Sequence, residues 1–210
     1  MLDNKGFDLW ADGYDKSVGL SEESNVYPFA GYKDVLGYIY EVIRSKQKDA
    51  TDRSAVLDIG FGTATLTSKL YEQGCDVYGQ DFSSRMIELA QEKMPEAKLY
   101  QGDITQGLVP ELCEQKYDFI VGTYSIHHLN DEQKVVFIKE LLGLLNDGGK
   151  ILFGDVAFET REMLEQCEVG EGLRWDEDEI YFVVDELKAH FPGIKYVPKS
   201  YCSGVVVIEK

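Results

Sequence analysis

From Ala55 to Asp155 the chain alternates short apolar runs with segments of helical periodicity, and no other feature restricts the fold as strongly. Runs of this length suit β-strands, and the segments between them are long enough to cross over to a parallel neighbour. After "FPGI", two β-rich runs flank "CSG", which predicts a hairpin that adds an antiparallel edge. The sequence therefore predicts an α/β fold: a doubly wound, mostly parallel seven-stranded sheet with an antiparallel C-terminal hairpin. The predicted strands are 55–59, 76–80, 97–100, 117–122, 150–155, 196–201 and 205–209.

The sequence predicts a single domain with three parts. Residues 1–52 are rich in aromatic side chains and contain apolar residues at three- and four-residue steps from Tyr32 to about Lys46, which indicates an amphipathic helix. Residues 53–155 form the sheet core, and residues 156–210 hold an acidic helical segment and the hairpin. The other predicted helices are 65–73, 84–93, 132–145, 160–167 and 178–189.

Charge, hydropathy and cysteine spacing argue against several classes of partner. Its formal net charge is -17, which repels phosphate backbones and argues against nucleic acid. No apolar run reaches the roughly 18 residues of a membrane span, and "MLDNKGFDLW" lacks the features of a signal peptide, so we expect a cytoplasmic protein without a membrane partner. We expect a monomer or homodimer. The four cysteines are scattered without the paired spacing of a metal or redox motif, which predicts reduced, mostly buried thiols and no metal site.

The stretch "VLDIGFGTATL" joins the first predicted strand to the next helix through two glycines. Gly60 and Gly62 allow positive φ and let a ligand approach the backbone. A dinucleotide-binding turn places a third glycine at position 65, where this chain has Thr65. Asp58 also disfavours a pyrophosphate, because two like charges about 4 Å apart interact by roughly 4 kcal/mol at an effective dielectric of 20. S-adenosylmethionine is positive overall, so Asp58 can engage its amino group directly or through water.

Two further acids end the next two predicted strands. Asp81 follows Gly60 by 21 residues and offers a carboxylate that can accept from both ribose hydroxyls of a nucleoside. An acid at this spacing also occurs in enzymes that bind nicotinamide dinucleotides, so Asp81 alone leaves both cofactors open. Asp103 ends the third strand. Since parallel strands place their carboxyl ends at one edge of the sheet, Asp58, Asp81 and Asp103 are expected to share a cleft.

These residues give the chain a family resemblance. "DIGFGTA" resembles motif I of the class I S-adenosylmethionine-dependent methyltransferases, with Ala64 in place of its last glycine, and the S-x-x-M pattern after Asp81 is typical of that family. The resemblance covers roughly Trp10 to Asp155. It implies a Rossmann-like fold, methyl transfer that leaves S-adenosylhomocysteine, and an adenine site in which Asp103 accepts from the amino group. With the "LWADGYD" stretch included, the pattern is most similar to YrrT-like methyltransferases of bacteria. The adenine contacts expected from this likeness also include Phe82, Met86 and Ile104.

The segment "GTYSIHHLND" after the fourth predicted strand is expected to border the reacting end of the cofactor. The resemblance implies that Thr123 and Tyr124 lie beside the methionine part. His127 and His128 follow and are the candidates for a catalytic base, since an unperturbed imidazole titrates near pH 6.5. Alternatively, one histidine bonds to backbone to shape the loop while the other packs.

The N-terminal segment supplies two more candidates. Trp10 and Tyr14 are four residues apart, so on a helix they share one face, and aromatic faces suit a sulfonium or an adenine ring. The resemblance implies that this segment forms a lid over the cofactor, with Trp10 and Tyr14 as contacts and Tyr14 as a possible catalytic residue; Trp10 can equally pack on the core. We expect a small-molecule acceptor. Two other functions stay open: a nicotinamide-dependent oxidoreductase and a non-catalytic S-adenosylmethionine-binding module.

Overall fold

A computed structural model describes residues 25–47 and 53–210. Within these residues the strands are β1 Ala55–Ile59, β2 Asp76–Asp81, β3 Lys98–Gln101, β4 Tyr117–Thr123, β5 Leu145–Phe158, β6 Phe182–Val183, β7 Lys195–Pro198 and β8 Ser203–Glu209. The helices are α1 Tyr32–Arg44, α2 Thr67–Glu72, α3 Ser84–Lys93, α4 Pro110–Cys113, α5 Asp131–Gly143, α6 Arg161–Glu171 and α7 Val184–Leu187, with 3-10 turns at Ile104–Gln106, Ile126–His128 and Gly172–Arg174.

The strands of the main sheet lie in the order β3-β2-β1-β4-β5-β8-β7. The first five strands of this row run parallel to one another, whereas β8 runs antiparallel to both β5 and β7. The predicted fold class, including the antiparallel C-terminal hairpin, is confirmed. The strand order reverses between β1 and β4, and ligands of such sheets bind at the carboxyl ends of the strands near that reversal.

Helices cover both faces of the sheet, as a doubly wound fold requires. Adjacent residues of β1 enter different cores: Val56 packs with α1, α2 and α3 on one face, and Leu57 packs with α5 on the other. This alternation follows from the two-residue period of a strand. Helix α1 approaches β5 closely at Gly154, where a Cβ atom would stand 2.4 Å from Val35 Cγ1. Helix α1 is thereby joined to the sheet next to the reversal.

The prediction of a helix over 178–189, in the acidic segment, is wrong. Phe182 and Val183 form β6, which pairs with Ala157 and Phe158 at the end of β5, and only the short helix α7 follows. The run "YFVV" is apolar at every position, so it cannot present one polar face to water as a surface helix does. Its residues instead pack alternately into the two cores, Phe182 into one and Val183 into the other.

Two more features bear on the sequence predictions. Cys75, Cys167 and Cys202 are buried, Cys113 is exposed, and all four are free thiols. None of the helices in the described ranges is both long and apolar enough to cross a bilayer. The division of the chain at residues 52 and 155 stays a prediction.

Candidate active site

The loop between β1 and α2 adopts the left-handed backbone conformation at three alternate positions. Gly60 has φ +69° and Gly62 has φ +53°, so both need the freedom that glycine provides. A Cβ atom on Gly60 would lie 2.5 Å from Ser125 Cβ, whereas the space in front of Gly62 is open. Ala64 has φ +59°, the conformation that a glycine adopts there without steric cost. The loop therefore has the shape of the glycine motif at all three positions, and its open side is at Gly62.

Asp58 lies beneath this loop and is almost fully buried, at 1% exposure. One carboxylate oxygen, Oδ2, accepts a hydrogen bond from the Thr67 hydroxyl. The other, Oδ1, has no hydrogen-bond partner among the described residues. Burial raises the pKa of Asp58 to about 7, and the nearby Asp81 carboxylate adds to the effect. A buried acceptor in this state is satisfied by a ligand that brings a donor, above all a cationic one.

Asp81 ends β2 next to the same loop. Its Oδ2 accepts from the Gly62 N–H at 2.8 Å, and its Oδ1 accepts from the Ser83 N–H at 2.9 Å. Ser83 in turn caps α3, because its hydroxyl accepts from the Met86 N–H. Each carboxylate oxygen can accept more than one hydrogen bond, so Asp81 shapes the loop and retains capacity for a ligand hydroxyl.

Asp103 follows β3 and is exposed. It begins the turn Ile104–Gln106 by accepting from the Thr105 N–H at 2.8 Å. The position of this loop depends on Gln80, whose buried side-chain amide donates to the Gly107 carbonyl and accepts from the Val109 N–H. Gln80 directly precedes Asp81 in β2, so one strand end positions both acids.

Aromatic side chains form one wall of the cleft at the end of β4. Tyr32 lines a small pocket together with Asp58, Gly60, Gly62 and Thr123. The ring of Tyr124 lies 5.3 Å from the ring of Tyr32. Tyr124 is buried, has φ +52°, and its hydroxyl has no hydrogen-bond partner among the described residues. Strained backbone of this kind is most common at functional sites.

The pKa values of the two histidines after β4 are shifted in opposite directions. His127 is buried with Nδ1 2.7 Å from Asp155 Oδ1 and Nε2 3.4 Å from Glu179 Oε1. Burial lowers its pKa, but Asp155 and Glu179 outweigh this effect, so the pKa of His127 lies above its ordinary value. Burial and the charge of His127 lower the pKa of His128 to about 4, which leaves it neutral. The His127 side chain therefore contacts two carboxylates, whereas the structural alternative had one histidine bonding to backbone.

The structure brings most of the sequence-predicted residues to one edge of the sheet. Phe82 and Ile104 are half-buried and follow the Asp81 and Asp103 strand ends, whereas Met86 is buried at the start of α3. Trp10 and Tyr14 lie outside the described residues. The individual roles of all these residues stay predictions.

The sequence reasoning missed several residues of the site. Thr67, Tyr32 and Ser125 had no signal of their own, since each is a common residue in a helix or loop. Asp155 did have a sequence signal. Like Asp58, Asp81 and Asp103, it lies near the end of a strand that the apolar pattern predicted. Glu179 had no distinguishing signal, because it lies in a run of acidic residues.

Comparisons with known proteins agree with this geometry. Residues 56–149 match a family model described as a methyltransferase domain. The chain is 32% identical over 192 residues to an uncharacterized methyltransferase of Alkaliphilus oremlandii, covering 90% of this chain and 81% of that protein. It is 38% identical over 159 residues to one of Anoxybacillus flavithermus, covering 76% and 69%. The chain belongs to the class I S-adenosylmethionine-dependent methyltransferases.

The solved structures of this fold include methyltransferases with their cofactor bound. Magnesium protoporphyrin IX methyltransferase from Synechocystis with bound S-adenosylmethionine aligns with a TM-score of 0.66 and 17% identity, covering 100% of this chain and 98% of that one. DhpI bound to S-adenosylhomocysteine aligns with a TM-score of 0.65 and 16% identity, covering 98% and 93%. At these identities the likeness concerns the fold. The narrower resemblance to YrrT-like methyltransferases stays a prediction.

The residues of this methyltransferase fit its cofactor. The orphaned Oδ1 of Asp58 offers a buried acceptor, Asp81 offers an oriented carboxylate, and the open space at Gly62 admits a ligand to the backbone. The two carboxylates would repel a pyrophosphate, because all of these groups are negatively charged.

Proposed function

We propose that this methyltransferase acts on a small molecule. The observation that carries the cofactor part of the proposal is the buried, unpartnered Oδ1 of Asp58 beneath a glycine loop that Asp81 anchors. The acceptor part rests on the packed aromatic rings of Phe29, Tyr32 and Tyr124 beside the cleft, since ligand pockets for small molecules are lined largely by such side chains. S-adenosylmethionine supplies a methyl group on a sulfonium, which is already a good leaving group.

The cofactor lies across the sheet in a definite direction under this proposal. Asp103 at β3 accepts from the adenine amino group, with Phe82, Met86 and Ile104 around the ring. Asp81 at β2 accepts from the ribose hydroxyls, and Asp58 at β1 holds the amino group. Because β4 is the next strand of the sheet, Thr123 and Tyr124 at its end would lie beside the methionine part of the cofactor.

The protein's main tasks are then to align the two reactants and to exclude water. Alignment alone supplies effective molarities of about 10⁵ M or more, so a base is helpful without being obligatory. Of the two candidates, His128 has a neutral imidazole that can accept a proton, but its pKa of about 4 makes it a weak base, and His127 is fixed between two carboxylates. The lid role of Trp10 and Tyr14 remains part of the proposal, as does the cytoplasmic location.

The titration of Asp58 gives a prediction for cofactor binding. The buried carboxyl, with its pKa near 7, must be ionised to hold the ammonium group, so binding releases a proton at low pH. We expect the affinity for S-adenosylhomocysteine to be about tenfold lower at pH 6 than at pH 8. Asp58→Asn should bind more weakly at both pH values and show no such difference. Calorimetric titration in two buffers of different ionisation enthalpy measures both the affinity and the proton released; equal affinities for the wild type would contradict the assignment.

The identity of the cofactor class is tested by a paired titration. We expect the protein to bind S-adenosylhomocysteine, which shares the adenosine and amino acid parts of the cofactor, and not to bind NADH at the same concentrations. Preferential binding of NADH would favour the oxidoreductase alternative. Formation of S-adenosylhomocysteine during incubation with S-adenosylmethionine and an acceptor panel then separates an enzyme from a non-catalytic binding module.

A further inference from the structure

A second polar cluster lies beside the cofactor cleft, at the carboxyl ends of β4 and β5. Asp155 holds His127, and His127 faces Glu179 on its other side. Glu179 Oε2 accepts from the Tyr181 hydroxyl at 2.7 Å, and that hydroxyl is hydrogen-bonded to the hydroxyl of Tyr27. The cluster thus joins residues from the start of the described chain, from the β4 and β5 ends and from the acidic segment.

The sheet places this cluster on the acceptor side of the cofactor. If the cofactor lies across the sheet as proposed, its methyl group would be near the end of β4. The next strand of the sheet is β5. Tyr124 links the two regions: its ring contacts Tyr32 of the cofactor pocket, and the charge of Asp155 raises its pKa further, beyond the larger effect of its burial. A molecule that receives the methyl group therefore meets His128, Glu179 and their neighbours.

The cluster carries an excess of negative charge. His127 lies between the carboxylates of Asp155 and Glu179, so even a protonated imidazole leaves one negative charge uncompensated. The charges of Asp176 and Asp103 also act on His128, and the ammonium group of Lys134 acts on His127. Lys134 is buried and donates to two backbone carbonyls, so it offers no cation to an incoming ligand.

Two buried polar atoms here lack the partners that a folded protein normally provides. Asp155 is fully buried, yet its Oδ2 has no hydrogen-bond partner in the described ranges, and the Tyr124 hydroxyl is in the same situation. Buried polar groups are nearly always satisfied, so the orphaned Asp155 Oδ2 marks the cluster as a place with acceptor capacity to spare for a further donor.

Glu179 is the member of the cluster that can meet a ligand directly. Its side chain is 23% exposed, whereas those of His127 and Asp155 are 7% and 0% exposed. The Tyr181 hydroxyl and His127 hold one oxygen each, which fixes the carboxylate and leaves further lone pairs available. The half-buried Trp175 stacks on Tyr27 with a 5.3 Å ring separation and forms a T-shaped contact at 4.9 Å with Tyr181, the residue that donates to Glu179.

We propose that this cluster is the acceptor site, and that it recognises a protonated amine through the Glu179 carboxylate and the aromatic surface of Trp175. A fixed carboxylate with excess negative charge around it stabilises an ammonium group, and the face of a tryptophan does so as well. The same charges disfavour acceptors that carry a carboxylate, phosphate or thiolate. This inference rests on the proposed function, since it places the acceptor relative to the cofactor.

Binding of matched amines and alcohols to the S-adenosylhomocysteine complex tests the inference. The probes are phenethylamine with 2-phenylethanol, tryptamine with tryptophol, and butylamine with 1-butanol; each pair differs only in the ammonium or hydroxyl group. We expect at least one amine to bind ten times more tightly than its alcohol. Glu179→Gln should reduce that preference to less than threefold, and Glu179→Asp, which keeps the charge, should retain at least threefold.

Glu177→Gln is the matched control, because it removes the same charge from an exposed residue two positions away. We expect it to keep the full amine preference. The proposal is overturned if no amine outbinds its alcohol, or if Glu179→Gln retains the preference. The affinity of every variant for S-adenosylhomocysteine reports whether the fold and cofactor site are intact. Failure of the wild type to bind S-adenosylhomocysteine would instead overturn the proposed function.

Discussion

Asp81→Ala is expected to weaken the binding of S-adenosylhomocysteine by about 10- to 150-fold, or roughly 1.5 to 3 kcal/mol. The carboxylate acts twice: it fixes the glycine loop through the Gly62 N–H and the start of α3 through the Ser83 N–H, and it is placed to accept from the ribose hydroxyls. Alanine removes all of these acceptors. Asp81→Asn should lose less, since one oxygen remains while the amide group cannot accept from the second backbone N–H.

Asp76→Ala is the control for this experiment. Asp76 begins the same strand, its side chain is 45% exposed, and it pairs with Arg53 at the opposite edge of the sheet. We expect its affinity for S-adenosylhomocysteine to match that of the wild type. Calorimetric titration of the three variants side by side measures the effect, and an Asp81→Ala protein that binds as tightly as Asp76→Ala would refute the role of Asp81.

The sequence was sufficient to predict the cofactor edge of the sheet, because that edge follows from local patterns. Asp58, Asp81 and Asp103 each lie at or just beyond the end of a short apolar run. Parallel strands bring such ends together whatever the rest of the chain does. The glycine positions could be predicted for the same reason: a strand-to-helix turn imposes positive φ on a few residues in sequence.

The acceptor side could not be predicted in this way, since its contacts join residues far apart in the chain. Asp155 and His127 are separated by 28 positions, and Tyr27 and Tyr181 by 154. The decisive local error was the helix expected over 178–189. Pairing of Phe182 and Val183 with β5 outweighed the helical pattern there, and this pairing is what presents Glu179 to His127.

The two sides of the cleft also differ in how their charges are held. On the cofactor side, the buried Asp58 carboxyl has a raised pKa and awaits a positive ligand. On the other side, His127 already compensates part of the negative charge of Asp155 and Glu179. Cofactor binding therefore depends on a carboxyl that titrates near neutral pH, whereas on the acceptor side burial raises the pKa of Glu179 and the neighbouring His127 opposes that effect.

Lys134 anchors the acceptor side, and its removal is expected to have the largest effect on stability. It is 1% exposed, and its ammonium group donates to the carbonyls of Leu129 at 2.7 Å and Ile180 at 2.6 Å. Ile180 follows Glu179 and donates its own N–H to the His127 carbonyl, so Lys134 holds this segment against the histidine loop. Lys134→Met fills a similar volume but leaves two carbonyls without this donor. We expect it to lower the free energy of unfolding by about 2 to 4 kcal/mol.

Lys139→Met is the control, because Lys139 is exposed on the same helix and its substitution should change the free energy of unfolding by no more than about 0.5 kcal/mol.

The pH dependence of stability separates the effect of the buried charge at Lys134 from that of the lost packing. Burial lowers the pKa of Lys134 to about 8, below its unfolded value, so above pH 8 the unfolded chain binds more protons at this residue than the folded one. Its contribution to stability therefore rises with pH between about 8 and 10.5, by up to about 1.4 kcal/mol per unit, because the neutral amine still donates to both carbonyls without the cost of a buried charge. Urea unfolding at pH 7, 8.5 and 9.5 should show the gap between the wild type and Lys134→Met widening as pH rises, and a gap that stays constant or narrows would rule out a buried ammonium at this position.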